Sequence, residues 1–95
     1  MTSETYEYAF GPQADMSQVE ETLLLATMAA EGLHGRARVR LEAGFRCDPA
    51  SRTARVEGGT DVGEAIARIF TALLASTIGE QSFSIAHGLD PAQTR

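Results

Sequence analysis

The chain has few of the residues that build covalent or metal-based frameworks. Only one of its 95 residues is a cysteine, Cys47, so an internal disulfide cannot form. Two histidines and one thiol supply too few ligands for a Cys/His metal site, and we therefore predict no metal and no cofactor. A single unpaired cysteine also fits a reducing compartment.

Long hydrophobic runs are missing as well. No apolar run exceeds four residues, whereas a membrane-spanning helix needs about 20. Residues 1–7 contain neither the basic nor the apolar stretch that begins a signal peptide. We therefore expect a cytoplasmic protein with no membrane partner.

Lysine is absent, and all eight Lys/Arg residues are arginines; we interpret this as the coding bias of a GC-rich genome. The net charge of −5 is unevenly distributed: residues 1–31 carry −6, residues 32–57 carry +3 and residues 58–95 carry −2. Proteins that bind nucleic acid through its phosphates usually have a basic excess. Nucleic-acid binding through the hairpin that we predict over 36–57 is therefore the weakest of the functions that we consider.

Six regular elements follow from the periodicity of apolar residues and from residues that begin or end helices. The first helix has two alternative N-caps: Ser17, which forms a capping box with Glu20, and Asp15. The segment 36–47 alternates apolar residues with mostly charged ones, which predicts a half-buried strand, and Asp48-Pro49 then begins a turn. Strands are predicted at 5–10, 36–47, 52–57 and 82–86, and helices at 15–31 and 60–78.

The order strand, helix, strand, strand, helix, strand is that of a ferredoxin-like split βαβ (βαββαβ) domain. We predict an α+β fold with a four-stranded antiparallel sheet in the order 4-1-3-2 and two helices on one face. The chain is predicted to form a single domain over 1–95, with a core at about 4–88 and a C-terminal tail at 89–95. This resemblance is one of shape, and shape alone does not establish function.

The sheet face away from the helices is predicted to be polar and free of aromatic residues, which argues against stacking of RNA bases. Four arginines from two predicted strands would share this face: Arg36, Arg38, Arg40 and Arg55. Two interpretations remain open for them. They protect an edge strand from pairing with other chains, or they bind an anionic small molecule through the paired hydrogen bonds of guanidinium groups.

The helices carry more apolar residues than one buried stripe requires. On a helical wheel, six of them lie away from the predicted core stripes: Leu24, Leu25, Met28, Ala67, Leu74 and Ile78. Contact between the flanks of the two helices would bury some of these residues. The remainder would form an exposed apolar patch, which usually marks a protein interface, either with a second copy of the chain or with another protein.

The sequence contains no convincing catalytic constellation. His34 and His87 are predicted in loops, and Cys47 is predicted to face the core. Gly58-Gly59-Thr60 precedes a helix but matches no phosphate-binding motif. We therefore predict no catalytic residues and favour a small interaction or adaptor module that uses its helical face. The alternative is a sensor or minor enzyme that binds an anionic ligand through the arginines.

Overall fold

The computed structural model describes residues 4–89, with side chains through His87. Each strand is four to seven residues long, and a 3₁₀ turn at Glu80–Ser82 leads into the last one. The strands are β1 (Glu4–Phe10), β2 (Phe45–Asp48), β3 (Thr53–Glu57) and β4 (Phe83–Leu89), and the helices are α1 (Met16–His34), α2 (Arg36–Glu42) and α3 (Asp61–Thr77).

The four strands form one antiparallel sheet in the order β2-β3-β1-β4, which confirms the predicted neighbours of every strand. The fold is α+β, with an open sheet that is compatible with a ferredoxin-like arrangement. The last strand is longer than predicted and includes Leu89, the first residue of the predicted tail. Residues 90–95 of that tail lie outside the described residues.

The prediction of one strand over 36–47 is wrong, because residues Arg36–Glu42 form α2 and only Phe45–Asp48 form a strand. The partner strand β3 has five residues, so a strand of twelve would leave most of its backbone groups without ladder partners. Arginine, alanine and leucine are also good helix formers. Gly35, at φ +88°, separates the new helix from α1.

The core lies between one face of the sheet and the helices. Tyr8 and Phe10 of β1 and Ala54 and Val56 of β3 are all buried against the helices. Residues that are paired across neighbouring strands point to the same face of the sheet. Tyr8 is paired with Ala54 on one side and with Ile85 on the other, so all three point toward the helices. The predicted core stripe of the first helix is confirmed, since all five of its residues are buried: Met16, Val19, Leu23, Ala26 and Ala30.

The N-terminus of α1 is capped by Asp15, whose carboxylate accepts a hydrogen bond from the Ser17 backbone N–H at 3.0 Å. The alternative cap, Ser17, lies inside the helix. At its other end the helix continues three residues past the predicted stop and ends at Gly35. Its length of 19 residues corresponds to about 28 Å, which provides a long outer face.

Candidate functional site

The outward side of α1 is apolar in its central turns. Leu24, Leu25 and Met28 are 58%, 55% and 64% exposed, and we call these three residues the apolar α1 face. At 100° per residue they lie opposite the buried stripe of the same helix. Exposed Ala29 and Gly32 extend this surface with small residues, and Leu33 in the last turn is 70% exposed. The prediction that Leu24, Leu25 and Met28 lie away from the core is therefore confirmed.

The other half of the predicted partner surface is mostly internal. Ala67 and Leu74 of α3 are 2% and 0% exposed, so the prediction that they lie away from the core is wrong. Ile78, just after α3, is partly buried against the core. Ala67 and Leu74 are buried because α3 packs along α1 as well as onto the sheet.

The four arginines of the predicted row do not share one surface. Arg36, Arg38 and Arg40 lie on α2, whereas Arg55 lies on the open face of β3. Arg38 pairs with Glu42 one turn later at 3.0 Å, and this hydrogen-bonded partner raises the pKa of the guanidinium. The interpretation of the row as protection for an edge strand is wrong, because these three residues are helical.

The open sheet face is polar, as predicted, and none of its described outward side chains is aromatic. A shallow concavity of about 370 Å³ lies over its centre. Arg46 and Arg55 are directly opposite across β2 and β3, and Arg55 Nε lies 3.9 Å from a carboxylate oxygen of Glu7 on β1. With Asp48 also lining the concavity, its charges balance, so the face has no preference for ligands of one sign.

A cluster that sequence reasoning missed lies on the helix-facing side of the sheet, where β1, β4 and α3 meet. His87, predicted in a loop after the last strand, is within β4 and stacks on Tyr6, with ring centroids 4.1 Å apart and planes 6° apart. The Tyr6 hydroxyl donates to the Glu64 carboxylate, whose oxygens lie 2.9 and 2.8 Å away. Glu4 Oε1 lies 3.5 Å from His87 Nε2. No local pattern indicates this cluster, because its members are up to 83 residues apart in sequence.

The environment of Tyr6 keeps its phenol protonated. Burial, the hydrogen bond to Glu64 and the negative charges of Glu64 and Glu4 together raise its pKa to about 12. The neighbouring Tyr8 is more deeply buried, and this burial raises its pKa as well. Its hydroxyl lies 2.9 Å from Thr71 Oγ1 and serves the packing of α3 on the sheet.

The surroundings of Cys47 and Thr60, which the sequence analysis also considered, indicate structural roles. Cys47 faces the core and is partly buried, and burial, followed by the charges of Glu20 and Asp48, raises the pKa of its thiol. A thiol held protonated is a poor nucleophile. Thr60 occupies the N-terminus of α3 and accepts the Gly63 N–H at 2.9 Å. This cap occupies the Gly63 N–H, which an anion at Gly58-Gly59-Thr60 would need as a hydrogen-bond donor.

Comparisons with family profiles, curated proteins and solved structures find no match to this chain. Within residues 4–89, no helix is long and apolar enough to cross a membrane. Two features remain as candidates for function: the apolar α1 face and the cluster of Glu4, Glu64 and His87.

Proposed function

We propose that the protein is a small interaction module that forms a symmetric homodimer through the apolar α1 face. The observation that carries this proposal is the exposure of Leu24, Leu25 and Met28 on the side of α1 opposite its buried stripe. Solvent-facing helix surfaces are normally polar, and contiguous exposed apolar residues usually mark an interface.

The charges at the two ends of this surface favour a second copy of the chain as the partner. Exposed Glu20 and Glu21 lie in the N-terminal half of α1, whereas residues 31–42, at and beyond its C-terminus, carry three arginines and two glutamates, a net charge of +1. In a two-fold dimer with antiparallel α1 helices, the acidic end of one copy faces the basic end of the other. Such an isologous contact places opposite charges against each other at both ends of the interface. Opposite charges also orient the two copies as they meet.

The size of the apolar α1 face indicates weak association. Burying a Leu or Met side chain completely stabilises by about 1.5–3 kcal/mol, and between 55% and 64% of each residue is still exposed. The six side chains of a dimer would therefore contribute about 5–11 kcal/mol, against an association cost of about 4–15 kcal/mol. At the favourable end of these ranges about 7 kcal/mol remains, so we expect a reversible dimer with a dissociation constant in the micromolar range.

Light scattering over a concentration series of about 1–500 μM tests the proposal. The mass should rise from that of the 10.1 kDa chain toward twice this value. Leu25→Glu and Met28→Glu each place two charges in the dimer, so each should weaken association at least about 100-fold. High salt should also weaken association, because it screens the charges at the helix ends.

The matched control is Ala72→Glu, which adds the same charge at an exposed position of α3, beside the groove on its β4 side. This variant should associate like the wild type. A monomeric mass at every concentration, or undiminished association of both α1 variants, would overturn the proposal. A cytoplasmic location is part of the proposal and is supported by the single, partly buried thiol of Cys47.

A further inference from the structure

Three side chains with metal-binding atoms converge from three elements of the fold. Glu4 comes from β1, Glu64 from the first turn of α3 and His87 from β4. One ligand atom from each lies within 4.8 Å of the other two. An imidazole nitrogen and two carboxylate oxygens are a ligand set suited to borderline divalent cations such as zinc.

The spacing of these atoms suits a tetrahedral ion. Zinc binds nitrogen and oxygen at about 2.0–2.2 Å, so two of its ligand atoms lie about 3.4 Å apart. His87 Nε2 and Glu4 Oε1 are 3.5 Å apart. The Glu4 side chain is about half exposed, at 47%, so it can rotate toward Glu64, whose ligand atom already lies within 4.8 Å.

The surroundings of the cluster hold two of its ligands in place. The Tyr6 hydroxyl donates a hydrogen bond to the Glu64 carboxylate, and the Tyr6 ring stacks on His87. Each carboxylate oxygen has two lone pairs, so Glu64 can accept this hydrogen bond and still bind an ion. Gly58 leaves the necessary space, because a Cβ there would lie 2.9 Å from Glu64 Oε2 and 3.0 Å from the Tyr6 ring.

The charge of the cluster also favours a cation. Glu4 and Glu64 bring two negative charges close together, and within residues 4–87 no arginine forms an ion pair with either carboxylate. Arg68, the base nearest in sequence to Glu64, is exposed on the next turn of α3. A divalent ion would neutralise both carboxylates.

We propose that Glu4, Glu64 and His87 bind one zinc-type divalent metal ion, with Tyr6 as a positioning residue that orients Glu64 and His87. Three protein ligands leave one tetrahedral position for water or an organic ligand. A mostly apolar groove of about 520 Å³ between α3 and β4 shares Tyr6 with the cluster, but its wall includes none of the three ligand residues. The site is independent of the apolar α1 face.

Calorimetric titration of the tag-free, EDTA-treated full chain with zinc chloride tests the site. One zinc ion per chain should bind, and zinc should raise the melting temperature. Glu4→Gln and His87→Gln should each lower the affinity at least 10-fold, whereas Glu7→Gln, on the other face of the same strand, and His34→Gln should leave it unchanged. Circular dichroism of each metal-free variant should match that of the wild type.

Tyr6→Phe separates positioning from packing. Loss of an orienting partner typically lowers metal affinity by about 10–100-fold, and we expect that decrease together with an unchanged one-to-one stoichiometry. A merely structural Tyr6 would lower the metal-free melting temperature and leave zinc affinity unchanged, which would refute its positioning role. Absence of stoichiometric zinc binding, or equal affinity in wild type, Glu4→Gln and His87→Gln, would overturn the site. EDTA should not change the mass in light scattering, so failure of the site and failure of the dimer are distinguishable.

Discussion

Two leucines that both lie away from the predicted core stripes of their helices should respond in opposite ways to the same truncation. Leu74 is 0% exposed in the core of the fold, whereas Leu25 is 55% exposed on the apolar α1 face. Leu→Ala at a buried site costs about 2–5 kcal/mol, because burial is lost and a cavity remains. A chain of 95 residues has a total free energy of unfolding of about 5–14 kcal/mol. Leu74→Ala should therefore remove a large share of the stability.

Urea denaturation, followed by circular dichroism at a concentration where light scattering shows monomers, measures both variants. With an m-value of about 1.5 kcal/mol/M, a loss of about 3 kcal/mol lowers the midpoint of Leu74→Ala by about 2 M. Leu25→Ala should lose about 1 kcal/mol or less, since solvent already reaches more than half of this residue. It should instead weaken dimerisation at higher concentration.

Unchanged m-values are the control, because they show that the truncations do not alter the surface exposed on unfolding. A loss below about 1 kcal/mol in Leu74→Ala would refute the placement of Leu74 in the core. A loss in monomeric Leu25→Ala as large as that in Leu74→Ala would show that the outer side of α1 is buried within the chain. The proposed interface would then have no apolar surface to use.

Two further predictions concern the hydrogen bonds of Tyr6 and Asp15. The folded pKa of Tyr6 is about 12 and its ordinary value is 10, so between these pH values the unfolded phenol loses a proton that the folded one keeps. The free energy of unfolding should therefore fall with rising pH more steeply in the wild type than in Tyr6→Phe. Urea denaturation from pH 9 to 11 measures this, and an equal slope of the free energy of unfolding against pH in the two proteins would contradict the prediction. Asp15→Ala should lower the free energy of unfolding by about 1 kcal/mol because it removes the N-cap. Ser17→Ala should change it little, and equal losses in urea denaturation would show that both residues cap α1.

Local patterns were sufficient for much of the fold. The alternation around Tyr8 predicts β1, the turn beginning at Asp48 predicts the β2–β3 hairpin, and apolar spacing predicts α1 and α3. These elements were predictable because the residues that stabilise each of them are close in sequence. The strand neighbours follow from the order of elements and the handedness of crossovers. The exposure of Leu25 was also predictable, since one side of a helix faces away from its sheet.

The segment from Arg36 to Glu42 needed the tertiary structure. Its alternation fits a strand and its composition fits a helix, and seven residues are too few for a helical period to stand out. Val39 is the buried residue of this segment, and β3, with five residues, is too short to pair with a strand of twelve. Both observations favour the helix. The burial of Leu74 was decided in the same way, because it depends on the side of α3 that meets α1.

The sequence by itself determined the α+β class, the order of the sheet and the apolar surplus of α1, because these depend on periodicity and chain order. The tertiary structure alone decided which surplus residues reach solvent and which side chains meet. Glu4 and His87 become neighbours because β1 and β4 pair antiparallel, and Glu64 joins them because α3 packs over that edge. Contacts between residues more than 20 positions apart leave no local pattern, so the cluster emerges only when the chain is folded.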